Sequence, residues 1–282
     1  MSTISERGTG PWTEANGAGR SKQLRRERQS MNRRAQLVCV ACGPGMIIFF
    51  AIGSIWLGHF FPPAVGESAT ARQVAHWYAA HTTSIRWGCL FSMVAYGLMC
   101  SWGVCVAVQT RRKEGMFPAL TYGQLTAMAA GTAQIVVMTG LWAAAALRPG
   151  QIDPQITQAL NDAGWLILMG TWVTFSTWAF FVGLAILLDK SSTPVFPRWS
   201  GYMSFAEGIL IIAGSGCWFF KHGAFSWEGA ICLYMVFAVF GFWVLYFSYA
   251  SFQNVKRGFV HEQDLSPAAE RDLTPAPAPT RA

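Results

Sequence analysis

The sequence predicts an all-α protein, a bundle of six transmembrane helices with both termini on the cytoplasmic side. Charge is scarce, with 52% of the 282 residues hydrophobic and 12% charged, against about 25% charged in an average soluble chain. The apolar residues are gathered into blocks of about 20 or more, the length that crosses roughly 30 Å of hydrocarbon. The basic residues then segregate to one side of a six-crossing arrangement. Together these features specify an integral membrane protein, with the lipid bilayer as its surroundings.

The blocks run Ala35–Phe61, Trp87–Gln109, Phe117–Leu147, Gly164–Leu188, Trp199–Phe220 and Gly229–Phe252. Each is bounded by charge, Pro or Gly, and none contains Lys or Arg. Backbone groups in lipid must bond internally, which makes every block a helix. No alternation of period two points to a membrane barrel. The first block exceeds the 7–15 apolar residues of a signal-peptide core and follows a basic tail of over 30 residues, so it reads as a retained span. Residues 1–34 then form a basic, disordered tail, 35–252 the membrane domain, and 253–282 a second disordered tail rich in Pro and Ala.

Orientation follows from Lys and Arg. With a cytoplasmic N-terminus, 17 basic residues fall inside and only Arg72, Arg86, Arg148 and Lys221 fall outside, the asymmetry of the positive-inside rule. The net charge of +7 is therefore a topology signal, and no nucleic-acid partner is expected. The tail GRSKQLRRERQSMNRR could also touch anionic lipid, at about 1 kcal/mol per basic residue near the surface.

The inner turns TRRKEGM and DKSSTPV are short, and each leads into a Phe-Pro helix start, FPALTYG and FPRWSGY. Pro suits the first turn of a helix, and the aromatics suit the interface. On the outer side, Val74, Trp77, Tyr78 and His81 share one face of a short amphipathic helix. Asp153 before Pro154 predicts an N-cap and first position for a second outer helix carrying Ile156 and Leu160. The loop KHGAFSWEG is too short for a helix and is expected to dip Phe225 and Trp227 into the headgroups.

Few motifs carry chemistry. His59, His76, His81 and His222 all map to the outer side, but His76 and His81 are five apart and cannot chelate in the manner of an i, i+4 pair. No metal and no cofactor is expected. All seven cysteines lie within spans, where CVAC (Cys39 to Cys42) reads as small packing residues. No nucleophile elbow, phosphate loop or dinucleotide fingerprint is present.

Glu207 is the single acid inside a span. Counted from Trp199 it lies about 12 Å deep at 1.5 Å per residue, where a carboxylate costs several kcal/mol unless protonated, paired or wet. Uncharged partners at similar depth are Ser101, Gln124, Thr126, Thr177, Tyr246 and, one turn back, Ser204. Small residues along the same helix allow close helix approach, so Glu207 is expected to face the interior. Two readings remain open. Glu207 is either a protonated bond between helices or a general acid or proton carrier lining a cavity. Rings run through the depth of WVTFSTWAFF and FWVLYFSY, so a ligand site would draw on Glu207, Gln124, Thr177, Tyr246, Trp172 and Trp178.

The segments RPGQIDPQITQALNDAGW, FPRWSGYMS and FFKHGAFSWEG resemble a family of small multi-pass bacterial membrane proteins without an established activity. The resemblance rests on Arg148, Pro149, Asp162 and Trp165, on Phe196, Pro197, Arg198 and Trp199, and on Phe220, Lys221, Gly223, Phe225 and Trp227. It covers the last half of the spanning region and implies the bacterial inner membrane but no reaction. The function expected is binding or passage of a small lipophilic molecule, or service as an accessory membrane subunit, with a homo-oligomer or membrane partner. The alternative is a membrane enzyme acting on an isoprenoid- or lipid-like substrate, with Glu207 as general acid and ring faces steadying a cation.

Overall fold

A computed structural model describes residues 32–111, 118–191 and 193–257. Most of the two tails expected to be disordered, and most of the Arg-rich inner turn, lie outside the described residues. Everything described is helix or turn, without a strand. The helices are α1 (Asn32–Leu57), α2 (Ala71–Ala80), α3 (Thr82–Thr110), α4 (Ala119–Ala145), α5 (Pro154–Gly170), α6 (Trp172–Leu188), α7 (Arg198–Leu210) and α8 (Val236–Lys256). Among the described residues, five segments are long and apolar enough to cross a membrane. They are α1, α3, α4, the stretch Pro154–Leu188 formed by α5 and α6, and Gly223–Lys256, which contains α8. The chain is a multi-pass membrane protein.

Two expectations for the helices between spans hold, one of them in altered form. Thr70 caps α2 in a reciprocal box with Gln73, and the face read from the sequence buries Val74 and Tyr78. Asp153 caps α5, accepting from the Gln155 amide at 2.8 Å, with Pro154 in the first turn. But α5 does not stop at the interface. It continues through Trp165 to Gly170, and α6 resumes at Trp172, so the expected surface helix and the fourth span are nearly continuous. At 1.5 Å per residue the 35 residues reach about 52 Å, well beyond the hydrocarbon thickness.

The fifth block is also irregular. α7 ends at Leu210 and the chain continues as a 3-10 helix, Ile211–Trp218. Two neighbours depart from α geometry as well. The last turns of α1, Ala51–Leu57, and the turns before α8, Ala230–Met235, are π-helical. These wider and tighter turns still bond their backbone groups within the segment, as a span requires.

Close helix approach depends on glycine at two crossings. On α6 and α7, a Cβ added to Gly183 would lie 2.9 Å from the Gly201 carbonyl oxygen, and one on Gly201 would lie 3.1 Å from that of Gly183. On α1 and α3, a Cβ on Gly53 would meet the Ser92 amide at 2.6 Å, and here the Ser54 and Ser92 hydroxyls bond at 2.9 Å. Backbones this close gain dispersion contacts that lipid cannot supply.

Rings fill the core. At the end of the bundle that carries α2, Phe60 stacks on Trp142 with centroids 4.0 Å apart, Trp142 meets Trp165 at 5.2 Å, and Trp165 stacks on Trp227 at 5.9 Å. Trp227 is therefore buried against the bundle and does not dip into headgroups as the sequence suggested, while Phe225 stays exposed. Deeper in the bundle Trp102, Trp178 and Trp243 form a triangle with sides of 5.6, 5.2 and 5.5 Å, all edge-to-face. Such pairs contribute about 0.5–1.5 kcal/mol each beyond their buried area.

The α6–α7 crossing yields a direct test. Gly183→Leu is expected to lower the melting temperature by roughly 3–10 °C, the equivalent of about 1–3 kcal/mol of overpacking. Gly140→Leu, where an added Cβ meets nothing within 4 Å, is expected to leave it unchanged. Equal effects in a detergent-solution melt would contradict the crossing.

Candidate functional site

Between the two tryptophan clusters the helices leave a cavity of about 240 Å³. Its wall draws on α1 (Met46, Phe50), α3 (Tyr96, Met99), the α5–α6 junction (Met169, Phe175) and α8 (Phe237, Phe240). Lining rings join it to both clusters. Phe237 meets Phe61 at 4.4 Å, and Phe61 meets Trp165 at 5.8 Å. In the other direction Phe240 lies 6.2 Å from Trp243 and Phe175 lies 6.2 Å from Trp178.

The lining carries no charged side chain and is almost wholly apolar. The Tyr96 hydroxyl lies among those of Thr139, Ser92 and Ser54. The Thr171 hydroxyl donates to the Leu168 carbonyl at 2.6 Å. A guest in this space meets methyl, thioether and ring surfaces, so the chemistry offered is hydrocarbon contact without a hydrogen-bonding anchor.

Glu207 is buried, 4% exposed, and its Oε1 has no hydrogen-bond partner among the described residues. It shares a helix face with Ser204, which accepts from the Trp243 indole N–H at 3.0 Å, and with Ile211, which lines the cavity. α7 and the stretch after it run antiparallel to α8. Trp199 meets Tyr246 at 4.6 Å, Ser204 meets Trp243, and a Cβ on Gly214 would lie 3.8 Å from Val236. That register puts Glu207 level with the lining residues Phe240 and Gly241 and one helical turn before Ile211, but outside the lining itself.

Five of the six partners expected for Glu207 are engaged elsewhere or turned away. Gln124 donates to Thr110 at 3.0 Å. Thr177 is exposed and bonds back to the Val173 carbonyl at 2.6 Å. Thr126 is exposed. Tyr246 packs on Trp199 and Phe247, and Ser204 donates to the Ser200 carbonyl. Of the six expected ligand residues only Trp172 lines the cavity, while Trp178 sits behind it in the tryptophan triangle.

In the segments between α1 and α3, His59 and His81 converge, with ring centroids 5.8 Å apart, while His76 is exposed. His59 has a positive φ of 51°. Among the described residues no three His, Cys, Asp or Glu side chains are grouped to hold a metal ion. In the loop before α2, Glu67 accepts from the Trp227 amide at 3.3 Å. Burial pushes the Glu67 carboxyl above the usual carboxylate range, against the opposing pull of that amide. The cavity-forming residues Met46, Met99, Phe175 and Phe240 carried no signal in the sequence beyond being apolar. No protein-family model, curated protein or solved structure matches the chain.

An unpartnered buried acceptor costs about 1–3 kcal/mol. Glu207→Met, of similar volume, is therefore expected to hold or raise the melting temperature, by up to several degrees. A fall of 10 °C or more would show that the carboxyl ties helices together.

Proposed function

We propose that this protein binds, or passes through its bundle, the apolar part of a small lipophilic molecule. The observation that supports this reading is the central cavity. An engineered apolar cavity of 150 Å³ stays dry and takes benzene. A space of about 240 Å³ is 1.6 times larger, room for a hydrocarbon of about ten carbons by the same scaling. With its almost wholly apolar wall, the lining suits an alkyl or isoprenoid segment whose polar head, if any, stays outside.

The test is photolabelling in membranes with a ten-carbon alkyl diazirine, followed by peptide mapping. Label is expected on the peptides holding Met46–Phe50, Met169–Phe175 and Val236–Val244. Gly241 lines the cavity, and a Cβ added there meets nothing within 4 Å. Gly241→Leu should therefore fill the space and remove that label while sparing lipid-facing sites. Equal labelling of both proteins would defeat the proposal. The enzymatic alternative has less support, because Glu207, its general acid, lies outside the lining.

The reading includes six crossings in a bacterial cytoplasmic membrane, both termini inside. The 3-10 stretch supports the sixth. Thirteen residues of α7 give about 20 Å, and eight at the 3-10 rise give about 16 Å. The sum of about 36 Å exceeds the hydrocarbon thickness. Cysteines introduced at Thr193 and His222 should then label from opposite sides with an impermeant maleimide in intact cells and inverted vesicles. Labelling from one side only would make α7 a re-entrant segment.

A further inference from the structure

Three sulfur atoms gather where the outer end of the cavity meets the loops. Met169 comes from α5, Cys217 from the 3-10 stretch and Cys232 from the π-helical turns before α8, and all three are buried. Cys232 Sγ lies 3.6 Å from Met169 Sδ and 2.9 Å from the Gly214 carbonyl oxygen. Cys217 lies close enough for its thiol to act on that of Cys232. Two sulfurs sharing one ion through bonds of about 2.3 Å, at tetrahedral to trigonal angles, stand about 3.8–4.0 Å apart. The Met169–Cys232 pair is within a few tenths of an ångström of that spacing before any ion is bound.

The loop side adds a carboxylate. Glu67 is close enough to act electrostatically on both cysteines. Glu228 packs against Gly66, where an added Cβ would lie 2.3 Å from its carboxylate oxygen. Lys221 and His222 also face Glu67, so the cap is of mixed charge.

We propose that Met169, Cys217 and Cys232 form a site for a soft monovalent metal ion of the Cu(I) class. The argument is independent of what fills the central cavity. Thiolate and thioether donors select soft ions, whereas zinc sites use Cys, His and carboxylate and not Met. Charge agrees as well. Binding displaces one thiol proton, and a +1 ion with one thiolate leaves the buried site neutral. A divalent ion would have to ionise both thiols to reach the same balance.

The test uses the full chain, reduced and anaerobic in detergent, titrated with Cu(I) against a chromophoric chelator. Cys39→Ala/Cys42→Ala serves as background, because that pair in α1 is the competing thiol site. One Cu(I) per chain should be retained, with only sulfur neighbours in its X-ray absorption spectrum. Cys217→Ala or Cys232→Ala should weaken binding at least about 100-fold, since outer-shell changes alone cost about 10–100-fold. Met169→Leu, which conserves volume, should weaken it about 10-fold.

A second measurement needs no substitution at the site. Ag(I), a redox-inert probe, should protect Cys217 and Cys232 together from alkylation in the unaltered chain, as mapped by mass spectrometry. Loss of Cu(I) in the Cys39→Ala/Cys42→Ala background, nitrogen or oxygen neighbours in the spectrum, or Ag(I) protection confined to Cys39 and Cys42 would each overturn the proposal.

Discussion

Two sets of tryptophan rings brace the bundle, and the space between them follows from their rigidity. Indole rings are large and planar and pack through edges and faces at fixed separations. Trp102, Trp178 and Trp243 hold α3, α6 and α8 apart at one level. Phe60, Trp142, Trp165 and Trp227 do the same for α4, α5 and the loop before α8 at another. Side chains between the two levels cannot draw the helices inward without breaking one set. Interiors are otherwise close-packed, so a void of this size needs such a brace to persist.

Backbone irregularity clusters around the same space. The π-helical end of α1, the 3-10 extension of α7 and the π-helical start before α8 all lie in its vicinity, and Gly214 and Val236 in or beside these stretches line it. Off-pattern turns alter which residues share a face, and they frequently mark functional positions. Here the same departure that puts Gly214 on the cavity wall sets Cys217 against Cys232. The sulfur cluster and the apolar cavity are adjoining consequences of one local geometry.

Much of the fold was legible because hydropathy, capping and charge act locally. The positions of the spans, the Asp153 cap and the buried Val74–Tyr78 face all follow from neighbours within a few residues. Rotation about the helix axis was not legible. Thr177 and Gln124 lie near the depth of Glu207 yet point elsewhere, because α4 and α6 are turned by contacts such as Gly123 with Phe181 and Gly131 with Phe175. Every residue of WVTFSTWAFF is apolar or small enough to face lipid or protein, so its sequence carries almost no amphipathic signal. The cavity and the cysteine pair arise from contacts between residues far apart in the chain, such as Met169 and Cys232, 63 positions apart. No window of sequence contains them.

Glu207 marks the same boundary. Its burial was expected, and its position level with Phe240 but outside the lining depends on the register of α7 against α8. The arrangement therefore turns on whether the braced void is occupied. A high-resolution density map of the protein extracted with its native lipids, without added ligand, addresses that directly. Elongated density between Phe175, Phe237 and Phe240, absent from the Gly241→Leu variant, is the expected result. A collapsed centre, with those rings in mutual contact and no density between them, would contradict it.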